Sequence, residues 1–301
     1  MLCRVKPRPS SAMLQAMTAL SREESLAIDA AAANHAHWQD LARVHGNGDD
    51  AYYDVEALIA GRTAMTEHEQ AALDLAGGVS GRDVLHVQCH LGFDAITFAQ
   101  RGARVTGLDF SATALAKAEQ IAARAGVTVN WTLAEATRLP DALVGRFDLA
   151  YASIGAICWI GELAAWMQSV ARALRPGGRL VLVDMHPAYG VVGSLEPFVV
   201  DFPYAFDGPR AFREPGSYAN PQADVKATLS VAFAHDLGEV VNTAIDAGLR
   251  IDRLIEHTSC AFDPRGGVAR READGRYRVR LGGESGFPVP MLFTLVATKP
   301  S

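Results

Sequence analysis

The chain has no excess of basic charge. In 301 residues, 28 Lys and Arg stand against 34 Asp and Glu, a formal net charge of −6. A surface that binds nucleic acid by counterion release needs the opposite balance, so nucleic acid is not an expected partner. Lysine is scarce, with only Lys6, Lys117, Lys226 and Lys299, which reads as coding bias rather than function. Cysteine is scarce too: Cys3, Cys89, Cys158 and Cys260 are scattered with no CxxC pair. That argues against a disulfide framework or a zinc site and fits a reducing cytoplasm. Nor is there a long apolar run. The most apolar stretch, residues 149–166, contains Ser153, Gly155, Gly161 and Glu162, whereas a membrane helix needs about 20 apolar residues. Residues 1–20 start basic, but Pro7, Pro9, Ser10 and Ser11 interrupt any apolar core of an export signal. The expectation is a cytoplasmic protein with no membrane partner.

What is present is ordinary for a globular chain: 49% hydrophobic and 21% charged residues. The length suits one large or two small domains at roughly 150 residues each. Ser21-Arg22-Glu23-Glu24 has capping-box spacing, and an Ala-rich run with Trp38 and Leu41 follows until the Gly- and Asp-rich stretch 46–50. Further helical pieces are expected over 53–60 and 67–75, before a boundary at Gly77-Gly78 and Ser80-Gly81. From Arg82 strands and helices alternate. Strands are expected at 83–87, 104–108, 127–133, 146–152 and 179–184. Helices are expected at 92–101, at 111–125 with Ser111 as cap and Gly126 as stop, and along Leu163, Trp166, Val170 and Leu174. That rhythm means a parallel sheet covered on both faces. It breaks after His186. Residues 187–228 are rich in Pro, Gly and aromatics, including Tyr189, Phe198, Phe202, Tyr204, Phe206, Phe212 and Tyr218. Helix signals return at 237–247 and strand signals at 249–258 and 291–297.

Open parallel sheets bind ligands beyond the carboxyl ends of their strands, so the polar residues there are the informative ones. The first strand runs into Gln88-Cys89-His90-Leu91-Gly92-Phe93-Asp94, and the second ends in Asp109, 17 residues after Gly92. An acidic side chain there can accept both hydroxyls of a ribose. The third strand ends in Glu135-Ala136, where a carboxylate can accept an adenine amino group, and the fourth ends near Tyr151 and Ser153. Together they describe a nucleoside-like ligand.

These residues resemble the class I S-adenosylmethionine (SAM) dependent methyltransferases. The resemblance rests on Val84-Leu85-His86-Val87-Gln88-Cys89-His90-Leu91-Gly92, Gly107-Leu108-Asp109-Phe110-Ser111, Glu135-Ala136, Phe147-Asp148-Leu149 and Leu174-Arg175-Pro176-Gly177-Gly178. It implies a Rossmann-like seven-stranded, mostly parallel sheet with helices on both faces and an antiparallel last strand. The implied division is an N-terminal helical cap at 1–78 and a SAM-binding core at 79–301, with 187–228 as a substrate or lid insertion. The family's first motif has three glycines after an acidic residue. Here His86 takes the acidic position, Gln88 and His90 take the first two glycine positions, and Gly92 alone remains. This form is similar to a subgroup acting on small molecules. The resemblance implies SAM as cofactor, held by Gln88, His90, Gly92, Asp94, Asp109, Phe110, Glu135, Ala136 and Ser153, with Tyr53 from the cap.

A dinucleotide-dependent dehydrogenase is a poor fit, because its pyrophosphate needs a loop with more glycine. No metal is expected: His86 and His90 sit four apart on a strand-to-turn segment, where they share poor geometry. Cys89 reads as a small buried residue. For chemistry, His186 past the fifth strand is the best-placed base, and a strand-end cap is its alternative. His235 and Tyr151 are further candidates. The aromatic insertion reads either as a lid over a small substrate or as a satellite core. The expected activity is methyl transfer to N, O or C of a small molecule in secondary metabolism, by a monomer or homodimer. One alternative takes SAM alone as substrate, as in azetidine-2-carboxylate synthases, releasing methylthioadenosine. Another is a non-catalytic SAM-binding protein.

Overall fold

The structure, a computed structural model, describes residues 17–48, 52–63, 65–264 and 267–301. Cys3, Lys6, the first 16 residues of the 1–20 stretch considered as an export signal, and Asp49 and Asp50 lie outside the described residues.

Helix α1 (Val55–Ile59) is capped by Asp54, and α2 (Glu67–Leu75) by a Thr66/Glu69 capping box. Then the chain alternates: β1 (Asp83–Val87), α3 (Phe93–Gln100), β2 (Arg104–Asp109), α4 (Ala112–Arg124), β3 (Asn130–Leu133), β4 (Phe147–Ala152), α5 (Leu163–Ala173) and β5 (Leu174–Met185). After the insertion come α6 (Leu237–Asp246), β6 (Arg250–His257) and β7 (Leu292–Thr298). The seven strands form one sheet in the order β6-β7-β5-β4-β1-β2-β3. Neighbours from β5 to β3 pair in parallel. Strand β7 runs antiparallel to β5, bonded from Lys299 to Gly177 and Gly178 at one end and from His186 to Met291 at the other. Val84, Leu85, Leu149, Ala150 and Leu180–Val183 are all fully buried. Helices on both faces demand this unbroken apolar pattern, in place of the alternation of a half-exposed sheet.

Two boundaries differ from the sequence expectation. Strand β5 starts at Leu174 rather than Arg179, with the Arg175-Pro176-Gly177-Gly178 segment inside it and a slip of register between Phe147 and Leu149. Strand β3 starts at Asn130 rather than Val127, because the Val127 amide bonds back to the Ala122 carbonyl to close α4. The Ser111 cap is present, accepting from the Ala114 amide at 3.1 Å, and Gly126 follows at φ 69°.

At the amino ends of the strands, Asp83 takes Arg104 at 2.7 Å and Arg175 at 2.8 Å, while Asp148 takes Arg175 at 3.1 Å. The guanidinium of Arg104 leads in holding the Asp83 carboxyl down to about 2.

By its internal contacts the chain divides into two units. One is Asp54–Asp184 with Leu237–Ile255 and Thr294–Ser301, so α1 and α2 group with the sheet. The other combines the described residues up to Tyr53 with Met185–Asp236 and Glu256–Phe293. Here Thr18–Ala19, Arg210–Arg213 and Leu229–Ala232 make a three-stranded antiparallel sheet. The helix Ala30–Val44 is pinned to it: the Asn34 side chain donates to the Val231 carbonyl and accepts from the Val231 amide, both at 2.8 Å. The insertion's aromatics form several small clusters in this unit. Phe202 stacks on Phe212, Phe206 on Phe233, and Tyr189 is fully buried with its hydroxyl on Asp263. Among the described residues no helix is long and apolar enough to cross a membrane.

Candidate functional site

The carboxyl ends of β1 and β2 hold the loop where glycine is missing. Gln88 and His90 nonetheless adopt the left-handed conformation, at φ 56° and 48°, and Gly92 follows at φ 70°. The backbone therefore follows a path that glycine takes without steric cost. For a residue with a Cβ, such a conformation costs on the order of 1–3 kcal/mol and needs its surroundings to enforce it. The surroundings do so through the Gln88 side chain. It donates to the Ala156 carbonyl at 3.0 Å and accepts from the indole N–H of Trp166, itself fully buried, at 2.9 Å. Gln88 is thus a strut from the loop to α5 and the segment before it. The His90 imidazole is pushed down to about 3 by burial, with Lys117 adding, and is neutral.

Two glycines set the space beneath this loop. A Cβ on Gly92 would lie 2.5 Å from the Trp131 ring, and one on Gly107 would lie 2.5 Å from the same ring and 3.0 Å from Cys89 Sγ. The indole of β3 occupies the volume that any larger residue would need. Cys89 is buried, and burial, with Asp109 second, pushes its thiol well up, which disfavours the thiolate a nucleophile needs.

Asp109, at the end of β2, is buried, and no cation pairs with it among the described residues. One carboxylate oxygen accepts the His90 amide and the other the Ser111 amide, both at 2.8 Å. Burial pushes its carboxyl up to about 6, against the pull of those amides and with Glu135 adding to the rise. The Phe110 amide adds a weaker pull on the same carboxylate, and the acceptor capacity left on its oxygens can receive a hydroxyl donor. Phe110 is half-buried beside it. The Ala134 amide bonds to the Asp109 carbonyl, which places exposed Glu135 and buried Ala136 next in line. Asp94, in the first turn of α3, accepts from the Ser153 hydroxyl at 3.1 Å. Asp109, Glu135, Ala136, Phe110, Gly92, His90, Gln88, Asp94 and Ser153 thus lie at the carboxyl ends of four adjacent strands.

Tyr151 does not open into this space. It is fully buried, packed edge-on to Phe98 and His86, and its hydroxyl donates to Glu69 of α2 at 3.0 Å. Burial, with Glu69 second, pushes the phenol well up. The structure holds this candidate in a core contact, on a β4 segment, Leu149–Ala152, that is buried on both faces. His86 Nδ1, in the same core, has no hydrogen-bond partner among the described residues, and burial lowers its pKa to about 3.

His186, Tyr53 and His235 belong to the other unit. His186 Nδ1 accepts from the Ala188 amide at 3.0 Å, so its proton sits on Nε2, which points at Glu256 Oε1 at 2.8 Å. With both ring nitrogens engaged it caps the short helix Pro187–Gly190 that follows the strand, a structural role of another kind than the strand-end cap weighed from the sequence. His235 is buried and stacks on Phe206 at 6.2 Å. Tyr53 shares its hydroxyl with that of Tyr218, in a group of rings with Tyr52 and His45.

Two carboxylates were not singled out from the sequence. Asp184, at the end of β5, accepts the Gly155, Ala156 and Ile157 amides at 2.6, 3.0 and 3.0 Å and fixes that segment. Glu69 closes a capping box on Thr66 and accepts from Tyr151. The Thr66-x-x-Glu69 spacing was the available signal for the second. Among the described residues, no group of three or more His, Cys, Asp or Glu is placed to hold a metal.

Comparison with known proteins adds to this geometry. The fold is similar to that of an S-adenosylmethionine dependent methyltransferase from Mesorhizobium loti. That likeness has TM-score 0.52 and 22% identity, over 76% of this chain and 96% of that one. The chain has the fold of the SAM-dependent methyltransferases. Residues 84–178, from β1 into β5, match the model of a family described as a methyltransferase domain. Among curated proteins, a ubiquinone biosynthesis O-methyltransferase of Pseudomonas paraeruginosa is 30% identical over 127 residues, 40% of this chain and 54% of that protein. Its counterpart from Alkalilimnicola ehrlichii is 34% identical over 110 residues, 36% of this chain and 44% of that protein. The chain thus spans about half the length of the curated relatives it matches.

Proposed function

We propose that the chain binds SAM across the carboxyl ends of β1, β2 and β3 and transfers its methyl group to N, O or C of a small molecule. Asp109 is the observation that carries this reading. A buried carboxylate anchored only by neutral amides keeps its charge and lone pairs for a ligand with paired hydroxyls, which is what the ribose of SAM offers. The left-handed loop also fits, because its backbone follows the glycine path although Gln88 and His90 replace glycine. In this reading Asp109 takes the ribose hydroxyls, Glu135 and Ala136 lie at the adenine, and the 88–92 backbone with Asp94 and Ser153 lies at the amino-acid end. Bound SAM supplies an electrophilic methyl group on a sulfonium. The chain supplies position and exclusion of water, the largest contributions to a transfer that needs no metal or covalent intermediate. A base is required only for a protonated or weakly acidic acceptor. The similarity to the ubiquinone biosynthesis O-methyltransferases supports a small organic acceptor, and the acidic net charge disfavours nucleic acid. A cytoplasmic monomer or homodimer serving secondary metabolism completes the reading.

Incubation with SAM, with and without a pool of amines and phenols, tests it by the nucleoside product. S-adenosylhomocysteine formed only with an acceptor is the expected result. Methylthioadenosine formed without acceptor replaces methyl transfer by cyclisation of SAM. Affinity without turnover leaves a binding protein, and absence of SAM binding removes the cofactor assignment.

A further inference from the structure

The unit that carries the aromatic insertion has a cavity of about 550 Å³ of its own. That is within the range of roughly 300–1,000 Å³ that small-molecule sites occupy. Its walls are three hairpin segments, Leu195–Phe198, Arg270–Arg278 and Arg280–Glu284. We infer that it is a binding site for an organic monocarboxylate with an apolar body. The inference is independent of the methyl-transfer reading.

Charge is the first argument. In a chain of net charge −6, the eleven residues 270–280 contain five Arg against Glu272 and Asp274, a local excess of three positive charges. Such an island attracts anions to its surroundings. The second argument is how the guanidinium groups are used. Both terminal nitrogens of Arg278 and all three guanidinium nitrogens of Arg280 are engaged. Glu272 alone takes Arg278 at 2.8 Å and Arg280 at 2.5 Å, Asp274 takes Arg278 again at 2.7 Å, and Arg280 also donates to the Gly286 carbonyl at 2.9 Å. These two arginines hold the hairpins in shape. Arg271 is different. Its Nε donates to the Gly275 carbonyl at 3.1 Å, and its two terminal nitrogens make no further hydrogen bond among the described residues. Arg270 spends one terminal nitrogen on Glu196. A guanidinium anchored at Nε with its outer edge uncommitted presents the fork that a carboxylate receives in two parallel bonds.

The third argument is the remaining wall. Phe198 is 54% exposed and Leu281 39% exposed, both lining the cavity. Apolar surface of that size beside an unspent guanidinium matches a ligand with one charged end and one apolar end. The lining carries four Arg against Glu196, Glu272 and Glu284, a net of +1, which balances a single negative charge better than a phosphate dianion.

The test is calorimetric titration of the full chain at low salt with 2-naphthoate, with 2-naphthol as its neutral counterpart and inorganic phosphate as competitor. Naphthoate is expected to bind, naphthol about tenfold more weakly or worse, and phosphate is expected not to displace it. Arg271→Gln is expected to weaken naphthoate about tenfold with an unchanged melting temperature, since it removes the fork and one exposed bond. Arg271→Lys, which restores charge without the fork, should recover only part. Equal binding of naphthoate and naphthol, no binding at millimolar concentration, displacement by phosphate, or an Arg271→Gln variant with full affinity would each overturn the inference.

Discussion

The two ends of the central sheet treat carboxylates in opposite ways. At the amino ends, Asp83 and Asp148 share Arg104 and Arg175 in a partly exposed ion network. At the carboxyl ends, Asp109 and Asp184 are buried on backbone amides. An ion pair neutralises a carboxylate, whereas amides orient it and leave its charge. The first arrangement fastens the strands together. The second holds a loop by its amides, as Asp184 does, and in the proposed reading keeps the Asp109 anion available to a ligand, at some cost in desolvation. Open parallel sheets bind at that same end.

The largest expected effect of breaking this contrast is at Asp109. Asp109→Ala should weaken SAM by about 2–3 kcal/mol, roughly 30- to 150-fold in Kd, as lost charged hydrogen bonds do. It should also lower stability by about 2 kcal/mol, because the His90 and Ser111 amides lose their acceptor. Equilibrium dialysis beside urea unfolding separates the two losses, and unchanged affinity would remove Asp109 from the site. Gly107→Ala comes next, at about 1–3 kcal/mol of stability from overpacking against Trp131. In a Trp131→Leu background the same change should cost less than it does alone, and strict additivity in denaturant melts would refute that packing relation. Gln88→Ala should cost about 1–3 kcal/mol by stranding the buried Trp166 N–H. Gln88→Gly should cost about 1 kcal/mol less than the alanine, since glycine relieves the left-handed backbone. The reverse order of the two variants would contradict the strut.

The smallest effect is at the other end. Asp83→Asn should change stability by less than about 1 kcal/mol at neutral pH, as partly exposed pairs do. Its value lies in its pH window. With the folded value near 2, the Asp83 contribution is complete above the unfolded value of about 3.9 and is lost as pH falls through 2. Asp109, raised to about 6, acts in reverse: its contribution is complete below about 3.9 and is lost as pH rises through 6. Melting temperatures from pH 2 to 8 should show Asp83→Asn flattening the acid side and Asp109→Asn removing a decline between pH 4 and 6. If both variants act in the same window, the contrast between the two ends is wrong.

The alternation of strands and helices was legible because doubly covered strands are short and apolar and their helices carry caps and glycine stops. Asp109 was legible too, since a charge directly after an apolar strand can only lie at its end. What local pattern does not contain is the partner of a side chain distant in sequence. Tyr151 was read as near the methyl site because it lies near the end of β4, yet the two faces of a fully buried strand look alike in sequence. Gln88 was read as a cofactor contact because of its place in the loop, and its side chain is bonded elsewhere. His186 carried two readings that sequence could not separate, and the position of one amide, that of Ala188, decides how its ring is held. The grouping of three separate segments into the second unit likewise leaves no local mark.

The bond between Gln88 and Trp166 spans 78 residues and makes two positions into one evolutionary choice. A change of residue 88 to glycine would leave a buried indole without an acceptor, and replacing the indole first would leave the glutamine with one support fewer. Neither step is expected to be neutral alone, so the two positions are expected to change together. Related chains that keep glutamine here are expected to keep a hydrogen-bond donor at the position of Trp166, and those with glycine are expected to lack it.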